Sequence, residues 1–88
     1  MLNIKYSAKA YKQLLKISKG SKKAVEMIVK VIEKFAGNPS ANLDVKTLKG
    51  QFDVFKRIRV GNYRIIFDND NKVMLIYEIK HRQEAYND

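Results

Sequence analysis

The chain has 88 residues, 45% of them apolar, and carries 18 Lys and Arg against 9 Asp and Glu, a formal charge of +9. That length makes one small domain spanning residues 1–88, and the apolar share is too high for a disordered tail. Without cysteine there is no disulfide or thiolate–metal site, and no apolar run approaches the length of a membrane span.

Taken in chain order, Leu2 to Tyr6 reads as a short strand. Ser7 is placed to cap a helix whose apolar positions Tyr11, Leu14 and Leu15 follow helical spacing, and Gly20 ends or interrupts it. Ser21 can cap a second helix to about Ala36, with Val25, Ile28, Val29, Ile32 and Phe35 as its apolar stripe. Tyr11 and Phe35 are expected in the core. Lys12, Lys16, Lys22 and Lys23 read as a solvated face. Gly37, Asn38 and Pro39 stop the second helix. Residues 40–50 read as a polar connection ending in Leu48-Lys49-Gly50. Strands are expected at about 53–60, 63–68 and 72–79, and the tail His81-Arg82-Gln83-Glu84-Ala85-Tyr86-Asn87-Asp88 closes the chain. Asp68-Asn69-Asp70-Asn71 marks a hairpin turn of ambiguous register, and turn chemistry accounts for its two Asp better than metal binding does. The order predicts an α+β fold, β-α-α-β-β-β, with an antiparallel sheet and both helices packed on one face.

The sharpest signal is residues 55–64. Gly61 and Asn62 join two strand-like runs, and this pair tolerates the backbone of a two-residue hairpin turn. Such a loop fixes the register: Val60 faces Tyr63, Arg59 faces Arg64, Ile58 faces Ile65 and Arg57 faces Ile66. Alternation then puts Arg57, Arg59 and Arg64 on one side, and Ile58, Val60, Tyr63, Ile65 and Phe67 on the other. Like charges opposed across strands destabilise a sheet, so three gathered guanidiniums point to a bound anion. The net charge predicts attraction to a polyanion, with nucleic acid the leading partner.

No P-loop or dinucleotide glycine pattern occurs. One His and no Cys exclude a Cys–His nucleophile and a His-rich metal cluster, so no cofactor or metal is expected. What remains is basic and aromatic. Arg57, Arg59 and Arg64 form the candidate anion clamp, with Arg82 and Tyr86 able to fold back from the tail. Lys46, Lys49, Lys56, Lys80 and His81 are the candidate RNA-binding residues around it. Guanidiniums grip phosphate oxygens through paired hydrogen bonds and can stabilise the extra charge of a pentacoordinate transition state. With an RNA 2′-hydroxyl as nucleophile, neither metal nor covalent enzyme intermediate is required. Arginine stays protonated, so the proton acceptor is His81, Tyr86, a lysine or an outside group. The plainer readings are a solvated arginine face, a surface His81 and a Tyr86 that pins the tail to the core.

Leu48-Lys49-Gly50, the run from Phe55 to Phe67, the strand from Lys72 to Ile79 and the ending His81 to Tyr86 resemble the RelE/ParE superfamily of type II toxin–antitoxin toxins. The resemblance implies that fold and a cytoplasmic toxin. Its RelE branch consists of ribosome-dependent mRNA endonucleases that cleave in the A site. They are silenced by a cognate antitoxin in a toxin–antitoxin hetero-oligomer. It implies that Arg57, Arg59 and Arg64 occupy basic active-site positions, that Arg82 or Lys80 supplies a C-terminal basic residue, and that Tyr86 stacks on a substrate base. Where this chain has Arg57 and Arg59 some members carry lysine; arginine holds phosphate well but is the weaker base. The ParE branch shares the fold and poisons DNA gyrase without cutting RNA. A non-catalytic member that binds RNA or antitoxin is the third reading.

Overall fold

The computed structural model describes residues 1–40, 43–48 and 55–81. Two helices and five strands run in the order β1 (Asn3–Tyr6), α1 (Ala8–Gly20), α2 (Lys22–Gly37), β2 (Val45–Thr47), β3 (Lys56–Val60), β4 (Tyr63–Asn69) and β5 (Val73–His81). The strands form one sheet in the order β1-β5-β4-β3-β2.

Serines set both helix starts. Ser7 Oγ accepts from the Ala10 N–H at 3.0 Å and Ser21 Oγ accepts from the Ala24 N–H at 3.1 Å, each satisfying a donor the first turn leaves unpaired. Ser21 also donates its own N–H to the Ile17 carbonyl at 2.8 Å, closing α1. One extended residue therefore ends one helix and begins the next, and the two are forced into a hairpin.

Its inner stripe, Ile28, Ile32, Phe35 and Ala36, packs with Ala10 against Ile58, Val60, Ile65, Phe67, Met74, Ile76 and Ile79 of the sheet. Phe35 meets Phe67 edge to face, with centroids 4.8 Å apart. Burying these side chains supplies the main driving force, about 1.5–3 kcal/mol for each large one. Tyr11, expected in the core, is 57% exposed, and Leu15 is exposed beside it. The stripe that α1 buries runs instead through Ala10, Leu14 and Ile17. Tyr11 and Leu15 share helical spacing with one another, but the packing of α1 against β5 and α2 turns that row outward.

Two features of the sheet differ from the expected antiparallel meander. First, β1 pairs in parallel with β5, Asn3 opposite Val73 through Tyr6 opposite Ile76, so the sheet is mixed. No tight turn links β1 to another strand, and the helical hairpin between them leaves its direction to tertiary packing. Second, Val45–Thr47, within the expected polar connection, forms an edge strand antiparallel to β3. Three residues carry too weak a pattern to announce a strand; the open edge of β3 supplies the hydrogen-bonding partner. The start expected for β3 at 53–54 lies outside the described residues.

The β3–β4 hairpin has the expected register throughout, from Val60 opposite Tyr63 to Arg57 opposite Ile66. Gly61 has φ +54°, the left-handed conformation that such a turn demands and that a Cβ disfavours. The β4–β5 ladder shifts by one residue: Ile66 pairs with Glu78 but Phe67 pairs with Ile76. Tyr77 is the extra residue of a bulge. That shift lets Ile76 and Ile79, three apart, both enter the core.

Candidate nucleic-acid interface

The face of the sheet away from the helices carries the charge. Directly paired residues share a face, so the ladders define rows across the strands. One row joins Arg59 on β3, Arg64 on β4 and Lys80 on β5. The next joins Lys46 on β2, Arg57 on β3, Ile66 on β4 and Glu78 on β5. The three arginines thus lie on one side, as the hairpin register requires, and Lys46 and Lys80 join them.

This face is not a bare cationic surface. Asp44, just before β2, accepts the Arg59 N–H on its backbone carbonyl at 3.1 Å, which extends the β2–β3 ladder by one step and aims its side chain at the arginine row. Its Oδ1 lies 3.4 Å from Arg57 Nη1 and its Oδ2 lies 3.9 Å from Arg59 Nε. The Arg57 side chain is 8% exposed, against 52% for Arg59 and 56% for Asp44. Arg57 is therefore a buried cation with a carboxylate partner, which corrects the expectation of three open guanidiniums. A buried charge needs such a partner, whereas the Asp44–Arg59 contact lies in water and is screened. Glu78, in the Arg57 row, has its Oε1 3.3 Å from Lys9 Nζ of α1. The five cations of these two rows still outnumber the two carboxylates beside them. Phe55, two residues before Arg57 and on its side of the sheet, packs edge to face on Tyr77 with centroids 4.6 Å apart.

Other expected site residues lie elsewhere. Lys56 pairs with Phe67 on the helix-bearing face, and its Nζ donates to Asn69 Oδ1 at 2.7 Å. His81 pairs with Tyr63 on that same face, their rings edge to face at 5.2 Å. Alternation along the strands separates both from the arginines. Lys49, Arg82 and Tyr86 lie outside the described residues. Asp44 and Glu78 escaped the sequence reading; the signal for Asp44 would have been β2, whose register places residue 44 opposite residue 59.

Among the described residues no helix is long and apolar enough to cross a membrane.

Comparison with known proteins gives the geometry a family. The family model described as ParE toxin of type II toxin–antitoxin system, parDE, matches residues 4–86. Toxin RelE3 of Methanocaldococcus jannaschii is 29% identical over 65 residues, 74% of this chain and 73% of that one. The archaeal RelE–RelB complex from Pyrococcus horikoshii contains a chain 25% identical with a TM-score of 0.75, covering 96% of this chain and 98% of its own length. The YoeB dimer from Staphylococcus aureus has a TM-score of 0.78 at 20% identity, covering 91% and 95%. The YoeB match speaks to the fold: two helices on a five-stranded mixed sheet. With the family model spanning nearly the whole chain, this protein belongs to the ParE toxin family of type II toxin–antitoxin systems, within the RelE/ParE superfamily.

Proposed function

We propose that this toxin is a metal-independent endoribonuclease of the RelE branch, which cleaves mRNA in the ribosomal A site by attack of a 2′-hydroxyl on the adjacent phosphate. The observation that carries the reading is the row of Arg59, Arg64 and Lys80 across three adjacent strands, with Lys46 and Arg57 in the next row. A strand spacing of about 5 Å sets such cations at intervals suited to one phosphodiester and its neighbours. Guanidiniums fixed on a rigid sheet need little reorganisation as negative charge builds on the phosphoryl oxygens, and preorganised electrostatics of this kind dominates many enzymes. The RNA brings its own nucleophile, so the protein's work is to orient the phosphate and stabilise charge. With His81 on the opposite face, the proton acceptor comes from the tail, from a lysine of the cationic rows or from the ribosome. Arg82 and Tyr86, by their place in the family motif, complete the site. A cognate antitoxin is the expected regulatory partner, in keeping with the RelE–RelB and YoeB–YefM complexes among the similar structures.

Purified toxin added to a translating extract, with mRNA ends mapped by primer extension, tests the reading. Cuts that appear only when the extract is translating are expected; intact mRNA under arrested translation refutes it. The match to the ParE model favours a second reading, inhibition of DNA gyrase. Loss of supercoiling activity with intact mRNA would establish that alternative. Salt-dependent RNA binding with neither effect would leave a non-catalytic binding module.

A further inference from the structure

We propose that the Asp44 carboxylate occupies, in the free protein, the seat that a phosphodiester of the RNA takes between Arg57 and Arg59, so that substrate must displace a built-in competitor. The inference rests on the phosphate-binding reading of this face.

A carboxylate and a phosphodiester both offer paired anionic oxygens to guanidinium donors. Asp44 divides its oxygens, Oδ1 toward Arg57 and Oδ2 toward Arg59, and so bridges the two arginines without gripping either in a fork. Its separations of 3.4 and 3.9 Å are long beside the roughly 2.7–2.9 Å of a good charge-assisted hydrogen bond. The carboxylate neutralises the cations without fitting them closely. A phosphodiester, with more oxygen surface and neighbouring charges for Arg64 and Lys80 to meet, fits the rows better. Displacement is local. The Asp44 backbone carbonyl stays bonded to the Arg59 N–H while the half-exposed side chain rotates toward solvent. Asp44 also sits diagonally to Arg57 and directly across from Arg59, where its charge offsets the repulsion between Arg59 and Arg64 when no RNA is bound.

A carboxylate serving only as the structural partner of Arg57 would behave otherwise: removing it would weaken or leave unchanged the binding of an anion to this face. The test is fluorescence anisotropy with a 2′-O-methyl RNA oligonucleotide, which keeps the phosphodiesters but lacks the nucleophile. Asp44→Asn, which retains an oxygen acceptor for Arg57, is expected to tighten binding about fivefold, and Glu26→Gln, at an exposed position of α2 where it removes the same charge elsewhere, to stay within about twofold. The gain should vanish when Arg59→Ala is added to Asp44→Asn. If Arg59→Ala and Arg64→Ala bind like the parent protein, the phosphate-binding reading itself fails. If those variants bind weakly but Asp44→Asn matches Glu26→Gln or binds worse, the displaced-carboxylate inference alone is overturned. Should Asp44→Asn not fold, nitrogen-15 and carbon-13 spectra of the parent protein decide: the oligonucleotide should shift the Arg59 Nε resonance and the Asp44 carboxyl carbon together. An Asp44 carboxyl signal unmoved at saturation overturns the inference.

Discussion

The side-chain carbonyl of Gln13, in the middle of α1, accepts the backbone N–H of Ile79 at 2.7 Å. The bond closes a gap in the sheet. β1 pairs with β5 only as far as Ile76, so beyond that point no strand among the described residues lies beside the β5 edge. α1 and its cap take over: Ser7 donates its N–H to the Ile76 carbonyl at 2.8 Å and its Oγ–H to the Tyr77 carbonyl at 2.6 Å, and Gln13 satisfies the next donor. An open edge invites pairing with another chain, and covering it with a helix is one of the standard protections. Gln13→Ala is expected to cost about 1–3 kcal/mol, because a partly buried N–H loses its acceptor. Urea denaturation measures the loss, and light scattering on warming should show earlier aggregation than in the parent.

Arg57 and Arg59, adjacent on one face, should answer differently to truncation. Arg59→Ala is expected to change stability by no more than about 0.5 kcal/mol, as for an exposed side chain, while weakening RNA binding. Arg57→Ala removes a buried side chain together with its packing, for a loss of roughly 1–3 kcal/mol. Arg57→Met, which restores the volume without the charge, should recover most of that stability but none of the binding. Lys56→Met, on the other face, should leave binding within about twofold of the parent. Thermal melts and anisotropy on the same four proteins separate the effects; equal stability losses for Arg57→Ala and Arg59→Ala would contradict the burial difference.

The Gly61 turn makes a prediction about backbone alone. A Cβ at this position meets Met27 Cε at 2.9 Å, the movable end of a flexible side chain, so crowding there is relieved cheaply. The φ of +54° is not relieved. Gly61→Ala is therefore expected to lose about 1–2 kcal/mol in equilibrium unfolding, and Gly61→Asn clearly less, since Asn tolerates the left-handed region.

Phe67 is fully buried and meets Phe35 at the centre of the core. Phe67→Ala is expected to cost about 3–5 kcal/mol, a large part of the roughly 5–15 kcal/mol typical of a whole domain. Phe67→Leu should cost less than half as much. The midpoint of urea unfolding reports both.

Burial raises the Tyr6 phenol above its ordinary value, and the neighbouring Glu33 carboxylate adds to the rise. The folded state thus favours the neutral phenol. The stability it contributes is complete below the unfolded pKa of about 10 and is lost as pH climbs through the higher folded value. Tyr6→Phe should flatten the fall in Tm above about pH 10, and Glu33→Gln should flatten it partly. Identical pH profiles for the parent and Tyr6→Phe would show that the phenol does not titrate with folding.

Local chemistry determined much of this protein from the chain alone. Ser7, Ser21 and the Gly37-Asn38-Pro39 stop delimit the helices because capping and termination depend on a few neighbouring residues. Gly61-Asn62 sets the β3–β4 register, and with it the shared face of Arg57, Arg59 and Arg64, because a two-residue turn leaves no freedom to slip. The tertiary structure decided whatever depends on distant segments meeting. It set the parallel placement of β1 on β5, the edge strand β2, the outward turn of Tyr11 and the bulge at Tyr77. It also decided how open the arginine face is. Asp44 lies 13 residues before Arg57 in the chain, and no periodicity links the two. Only the pairing of β2 with β3 brings that carboxylate to the guanidiniums, since a strand pairing of long sequence separation is chosen by the energy of the whole sheet and not by any local run.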